Sequence, residues 1–141
     1  MSREHVELVR RENLETVRQA YADLNRGDIE AALDAFHDDA EHDWSRSIGP
    51  YSGVYVGRKQ AHRFWTSALD AVEELSFEIE DTLVEGPHVI LMISARIRGR
   101  GSGAEAVGRT PHVWTLRDGQ GTRFQLFQTW EEALEAVGLR E

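Results

Sequence analysis

The stretch LSFEIEDTLVEGPHVILMISARIRG (residues 75–99) decides the fold, because its hydrophobic period is two and a turn divides it. Its first part alternates apolar with polar side chains, with apolar residues at Phe77, Ile79 and Leu83. This alternation predicts a strand from about 75 to 84. The turn EGPH follows, and β-branched and apolar residues then predict a long strand over 88–99. The two strands are expected to begin an antiparallel meander.

Downstream of this hairpin, the sequence continues the meander and closes on a helix. The segment GRGSGAEAVG contains four glycines, which is typical of a hairpin tip. A strand is predicted from about 105 to 117, the turn RDGQG follows, and a further strand is predicted from about 122 to 130. In TWEEALEAVG, Thr129 and Glu132 have capping-box spacing and Gly138 can end the helix.

Upstream of the hairpin, helical periodicity dominates. Apolar residues at helical spacing predict an amphipathic helix from about 4 to 26, and a short helix is expected after Asp28. A third helix is predicted from about 58 to 73. A short strand is placed at 41–45, and the segment 45–57, rich in Gly, Pro and Ser, is interpreted as a loop. Helices and strands that are segregated in this way indicate an α+β fold, with a curved antiparallel sheet, helices over one face and a cavity between them.

Length and composition narrow the class of protein. At 141 residues, the chain is expected to be a single domain spanning 1–141. Its net charge of −9 disfavours a nucleic-acid partner, because such binding depends on neutralising phosphates. The chain has no cysteine, so disulfides and thiolate metal sites are excluded. The N-terminal segment is too charged for a secretory signal and the longest apolar run, VILMI, is too short to span a membrane, so we expect a cytoplasmic protein with no membrane partner.

Three segments carry a resemblance to a known superfamily. The segments AYADLNRGDIEAALDAFHDDAEHDW, YVGRKQAHRFW and VWTLRDGQGTRFQLFQTWEEALEAVGL resemble, in the same order, parts of nuclear transport factor 2-like domains. The branch that the chain resembles is the SnoaL-like group, named after a polyketide cyclase. The resemblance implies a cone-shaped, strongly bent sheet wrapped around the three N-terminal helices, with a short C-terminal helix and a pocket at the open end. It also implies a homodimer packed through the sheet.

The resemblance further implies where the chemistry of ketosteroid isomerases would lie. Their catalytic Asp position falls on Trp44 in this chain, and their Tyr position falls on or near Ala20, one step from Tyr21. The position of their protonated acid falls near Arg109. All three departures argue against isomerase chemistry by that constellation. A shift of one residue in the alignment would instead place Asp43 and Tyr21 in the Asp and Tyr positions.

The segment HDDAEHD (residues 37–43) holds six residues of types that bind metals or transfer protons. On a strand, His42 and Trp44 would share the inner face and the two acids beside them would share the other. The first three residues are expected at a helix end or in a turn, where Asp accepts local hydrogen bonds. The side chains therefore point in different directions, and no metal site is predicted. His42 remains as a general base or hydrogen-bond donor in the pocket, or else as a satisfied core histidine.

Further candidate pocket residues come from the helices and from the last strand. Trp65 lies on the apolar stripe of the third helix, as a pocket wall or as core. Tyr21 lies on the stripe of the first helix, as a pocket donor or as a core residue with a hydrogen-bonded hydroxyl. Met92 is a further candidate wall residue, and Gln128 is a candidate because the resemblance aligns it with a position that lines isomerase pockets.

Arginines at alternate positions form a possible binding stripe. Arg96, Arg98 and Arg100 share one strand face in SARIRGRG, and Arg109 is expected across the hairpin. Such a stripe could bind a carboxylate or a phosphate, or it could be a solvated or dimer-facing surface that pairs with acids. If one arginine faces inward, Arg96 or Arg109 is expected, because both lie far from the hairpin tip.

Two functions remain open from the sequence. The first is a small SnoaL-like enzyme that needs no cofactor and acts on an apolar, cyclic or polyketide-like molecule by acid/base chemistry, as an isomerase, cyclase or hydrolase. In it, His42 would transfer the proton, and Tyr21 or Arg109 would stabilise developing negative charge. The second is a ligand-binding or dimeric structural module with a pocket but no chemistry.

Overall fold

The computed structural model describes residues 2–139 and confirms the α+β fold. The sheet is curved and unclosed, and its six strands lie in the order β2-β1-β6-β5-β4-β3. In chain order the elements are α1 (Arg3–Asn25), α2 (Ile29–Leu33), β1 (Phe36–Asp43), β2 (Val54–Val56), α3 (Arg58–Asp70), β3 (Val72–Glu85), β4 (His88–Gly99), β5 (Glu105–Arg117), β6 (Gln120–Leu126) and α4 (Trp130–Ala136).

Capping side chains set the ends of the helices. The Ser2 hydroxyl accepts the backbone N–H of His5 at the start of α1, and Gly27, with φ of 76°, follows its end. The Asp28 carboxylate then caps α2 by accepting the N–H of Ala31. At α4, Thr129 and Glu132 form the predicted capping box.

The strands form the predicted meander, with one parallel pairing added. β3, β4, β5 and β6 pair antiparallel with their chain neighbours, whereas β1 runs parallel to β6 and antiparallel to β2. The bounds predicted for the two longest runs, 88–99 and 105–117, coincide with β4 and β5. Their strict alternation places successive side chains on opposite faces of the sheet.

Four local expectations were wrong. β1 begins at Phe36, so the first three residues of HDDAEHD lie on a strand and not in a turn; the Phe36 ring stacks on Trp114 at 4.3 Å and draws the chain into the sheet. The expected loop 45–57 contains strand β2, which pairs with the end of β1. α3 ends at Asp70, before the predicted position 73, because β3 already starts at Val72. β6 ends at Leu126, since the Thr129 cap begins α4.

Each face of the sheet has its own core. The inner face, which carries Leu91, Ile93 and Trp114, packs against the three N-terminal helices. The outer face carries Ile90 and Val113, which pack with Phe127 and Ala133 under α4. No helix within residues 2–139 has the length and apolar character needed to cross a bilayer. The single domain, the homodimer through the sheet and the cytoplasmic location stay predictions.

The tightest packing at a glycine lies between β6 and the aromatic pair of Phe36 and Trp114. A Cβ at Gly121 would meet Phe36 Cδ1 at 2.7 Å and Trp114 Cε3 at 3.3 Å. We expect Gly121→Ala to lower the free energy of unfolding by about 1–3 kcal/mol, because overpacking would separate the stacked rings. Gly108→Ala on β5 is the matched control, since a Cβ there meets nothing within 4 Å. Urea denaturation of both variants measures the difference, and an equal cost for the two would contradict this explanation.

Candidate functional site

The main cavity opens between α3, the inner face of β3–β5 and the loop that follows β1. Its volume is about 710 Å³, within the usual range for small-molecule sites. Aromatic and aliphatic side chains form most of the wall. The polar side chains in the lining are those of Ser47, Tyr51, Arg109, Thr110, His112 and Gln128. No Asp or Glu lines this cavity within residues 2–139, so it holds no carboxylate base.

An aromatic cluster forms the inner end of the cavity. The Trp44 ring stacks on Phe64 at 5.0 Å between centroids and meets Trp65 edge-on at 5.6 Å. Both tryptophans line the cavity and both are nine-tenths buried. Trp44 Nε1 is the one buried side-chain nitrogen or oxygen, among the described residues, without a hydrogen-bond partner. An unpaired buried N–H is costly, so this donor favours an acceptor nearby.

His112 is the polar centre of this inner end. It lies on β5, one alternate position before Trp114, and only 2% of it is exposed. Its Nδ1 lies 2.6 Å from the Tyr21 hydroxyl, which also accepts a hydrogen bond from Trp114 Nε1 at 3.1 Å. His112 was not among the residues predicted for the site. Two features of the sequence could have identified it: its alternation with Trp114, and the hydrogen-bond partner that a buried Tyr21 requires.

The Tyr21 hydrogen bonds fix the tautomer of His112. The indole N–H of Trp114 can only donate, so the Tyr21 oxygen accepts it and turns its own proton toward Nδ1. Nδ1 is then the acceptor, and the imidazole carries its proton on Nε2. Burial lowers the pKa of His112 to about 3 and raises the pKa of Tyr21, so both groups are neutral near pH 7. His112 therefore has one free group, an Nε2–H donor.

His42 occupies a different space. It lines a void of about 20 Å³ in the core, together with Tyr21 and His112, and it does not line the main cavity. Its ring packs against Phe36 at 4.4 Å, and burial lowers its pKa to about 4. The void has room for a water molecule but not for a ligand. The structure therefore separates His42 from the space that a ligand could enter.

Two arginines of the predicted stripe, Arg96 and Arg98, lie on the outer face, whereas Arg100 follows the end of β4 and donates from Nε to the Asp70 carbonyl at 2.7 Å. Arg96 was an expected inward residue, but the alternation of β4 turns it outward, where it pairs with Glu105 at 3.4 Å. Arg98 and Arg100 pair with Glu74 and Glu73 in the same exposed setting. The surface interpretation of this stripe is thus the one that the geometry fits.

The remaining candidates divide between the two faces. Arg109 reaches the rim of the main cavity, but its guanidinium pairs with Glu80. Gln128 lines the cavity and donates from Nε2 to the Arg46 carbonyl at 2.6 Å. Met92 lies on the outer face of β4, opposite the cavity, because its neighbours Leu91 and Ile93 face inward. Ala20 lines only the small void.

The HDDAEHD acids point to separate partners. Asp43 is buried and accepts the backbone N–H of Ser45 at 2.9 Å, and Glu41 pairs with Arg123 at 2.8 Å. Asp43 is buried because the turn after β1 folds back over its carboxylate, which also accepts the Ser45 hydroxyl. Within residues 2–139, no group of three or more His, Cys, Asp or Glu side chains is placed to hold a metal ion.

Comparison with solved structures finds the same fold at low sequence identity. TerC, co-crystallised with polyporic acid, is 23% identical with a TM-score of 0.75, over 89% of this chain and 98% of that one. A putative SnoaL-like polyketide cyclase from Jannaschia sp. CCS1 is 18% identical with a TM-score of 0.73, over 94% and 96% of the two chains. SalBIII, an epoxide hydrolase/cyclase-like enzyme of pyran ring formation in the polyether salinomycin, is 18% identical with a TM-score of 0.73, over 85% and 92%.

Sequence comparison adds the family. No curated protein matches the chain. The model of the SnoaL-like domain matches residues 17–124, which run from the middle of α1 through most of β6. This span covers β3, β4 and β5 in full, as well as Tyr21 and His112 on either side of their hydrogen bond. The chain belongs to the SnoaL-like domain family.

Proposed function

We propose that this chain binds a small apolar, cyclic molecule in the main cavity and polarises an oxygen of that molecule through the Nε2–H of His112. The observation that carries the proposal is the Tyr21–His112 hydrogen bond of 2.6 Å, which leaves one imidazole donor at the inner end of an aromatic-lined cavity. The reaction class is cofactor-free acid/base chemistry of the isomerase, cyclase or hydrolase type.

The neutral state of His112 suits this role. A neutral imidazole can stabilise the negative charge that develops on a carbonyl oxygen. Enzymes with an uncharged histidine beside a substrate carbonyl use it in this way. The donor acts in a site with few polar groups, where a hydrogen bond is electrostatically stronger than in water. Trp44 Nε1, which lacks a partner, belongs to a ring 5.7 Å from the His112 ring between centroids.

The relatives support a cyclic ligand. Among structures of this fold are a putative polyketide cyclase, an enzyme of pyran ring formation and a protein co-crystallised with polyporic acid. For this chain, the aromatic lining supports the same kind of molecule, because flat rings pack well against Trp44, Trp65 and Phe77. We place the catalytic role on His112 in preference to His42, since only His112 borders the main cavity.

A second candidate function is binding without chemistry. Two points favour it: the resemblance to ketosteroid isomerases places their aspartate position at Trp44, and no carboxylate lines the cavity within the described residues. In that case, His112 would only orient the ligand. The two functions differ in one measurable step, which is the exchange of protons next to the polarised carbonyl.

Binding is tested with a matched pair of probes that differ only at the oxygen. We expect 4-acetylbiphenyl to bind up to about tenfold more tightly than 4-ethylbiphenyl, because only the ketone accepts a hydrogen bond. His112→Phe should remove this preference, and His42→Phe should keep it. Equilibrium dialysis measures the affinities, and infrared spectroscopy should show a lower carbonyl stretching frequency for the bound ketone in the wild type and in His42→Phe only.

Equal affinities of the wild type for the two probes would refute the hydrogen bond, and loss of the preference in His42→Phe alone would transfer the role to His42. Circular dichroism checks that each variant folds. Where His112→Phe folds poorly, His112→Leu replaces it, because it leaves the hydrogen bond from Trp114 Nε1 to the Tyr21 hydroxyl in place. Deuterium exchange of the acetyl methyl group, followed by NMR, separates the two functions. Acceleration that depends on His112 supports catalysis, and binding without acceleration supports the binding module.

The buried histidines also predict how stability depends on pH. Burial lowers both pKa values below the ordinary 6.5, to about 4 for His42 and about 3 for His112. Between these values and 6.5, the unfolded chain therefore binds more protons than the folded chain. Stability should therefore fall as the pH decreases below about 6.5, by on the order of 2 kcal/mol per histidine at pH 5. Urea denaturation from pH 8 to pH 5 measures the slope.

The loss of stability that the two histidines cause between pH 8 and pH 5 should be about half as large in His112→Phe as in the wild type. This expectation holds even if the variant differs in stability at pH 8. His5→Phe is the matched control, because the His5 side chain is exposed on α1 and is not buried in the core. If the wild type and His112→Phe lose stability equally on acidification, His112 is not held neutral by burial.

A further inference from the structure

The outer end of the main cavity is lined by unusually small side chains. On the inner face of the sheet, Ala95 of β4 and Gly108 of β5 are directly opposite each other. Ala68 and Ala71 line the same cavity from α3 and the residue after it. The inner end, by contrast, is lined by Trp44, Trp65 and His112. We propose that the cavity takes an elongated molecule of three rings in line, with its oxygen at His112 and its last ring over the Ala95–Gly108 pair; this inference rests on the proposed function and names the shape of its ligand.

The strand geometry sets the length of this molecule. Gly108, Thr110 and His112 are alternate residues of β5 and all line the cavity. Four residues of extended strand span roughly 13 Å, at about 3.3 Å per residue. A molecule hydrogen-bonded to His112 must therefore be about this long to reach Gly108. With the oxygen at His112, the last ring of a two-ring molecule lies short of Gly108, whereas the last ring of a three-ring molecule reaches Gly108.

Gly108 has no local reason to be a glycine. Its φ is not positive, so the backbone does not require it, and a Cβ at this position would meet nothing within 4 Å. Gly121 on β6 differs, since its Cβ would collide with Phe36. Glycine inside a strand costs conformational entropy and often marks a place where another group approaches the backbone closely. Gly108 is exposed where the cavity opens and is part of the cavity lining, so a ligand that extends along the cavity would approach its backbone.

The charge of the cavity indicates a neutral molecule. Arg109 is the only Arg or Lys in the cavity lining within the described residues, and its guanidinium is already paired with Glu80. An anionic ligand would have to displace that carboxylate or remain unpaired in an apolar site, which is costly. A ketone, a quinone or a phenol meets the neutral donor of His112 without this cost.

The test fills the space over Gly108 and compares two probes of different length. The probes are 4-acetylbiphenyl, with two rings, and 4-acetyl-p-terphenyl, with three. We expect Gly108→Leu to weaken binding of the three-ring ketone at least tenfold and to leave the two-ring ketone within about twofold. Ser94→Leu is the matched control, because Ser94 lies beside this pair on the opposite face of β4 and should change neither affinity. Equilibrium dialysis measures all six affinities, and thermal denaturation monitors folding.

Each outcome is decisive. If the wild type binds the two-ring ketone but not the three-ring one, or if Gly108→Leu weakens both equally, the length inference is overturned while the proposed function stands. If the wild type binds neither ketone, the proposed function fails. Where Gly108→Leu folds poorly, Ala95→Leu fills the same space from the opposite strand and carries the same expectation.

Discussion

The Tyr21 hydroxyl joins the helical layer to the sheet, and the polarity of the cavity depends on it. It links α1 to β5 through two hydrogen bonds, with His112 and with Trp114, and all three residues are buried. Loss of this hydroxyl would leave two buried nitrogens without a partner, each at a cost of about 1–3 kcal/mol. The same bonds that stabilise the packing also decide which imidazole nitrogen carries a proton. The Tyr21 oxygen therefore contributes both to the packing of α1 against β5 and to the protonation of His112.

Most of the fold could be predicted from the sequence, because long strands with strict alternation leave one consistent register. β4 and β5 begin and end where the periodicity does. The start of β1 could not be predicted, since the cause is the stacking of Phe36 on Trp114, a contact between residues almost eighty positions apart. β2 has only three residues and is held by its pairing with β1, so its own sequence carries little signal.

The candidate site could be predicted only in part, because a cavity residue must lie both on the correct face of the sheet and at the correct depth. Trp44, Trp65, Arg109 and Gln128 reach the cavity, whereas Met92 and Arg96 lie on the other face of the sheet. Counting alternate positions from Leu91 and Ile93 would have assigned that face correctly. His42 faces inward but ends in the core, because the inner face extends beyond the cavity. The depth of a side chain along the cone depends on the curvature of the sheet, which periodicity does not encode.

A tryptophan at position 44, where the resemblance to ketosteroid isomerases implies an acid, changes which ligands the cavity can hold. A carboxylate would repel acidic molecules and could abstract a proton, and it would need a charged or polar partner of its own. An indole at that position packs on Phe64 and Phe124, adds a neutral donor and removes the charge. With His112 also neutral and Arg109 engaged by Glu80, the cavity offers hydrogen-bond donors without a net charge. Under the proposed function, such a site selects for neutral oxygen acceptors on apolar rings, and a proton that leaves the ligand is taken up by water or by the ligand itself.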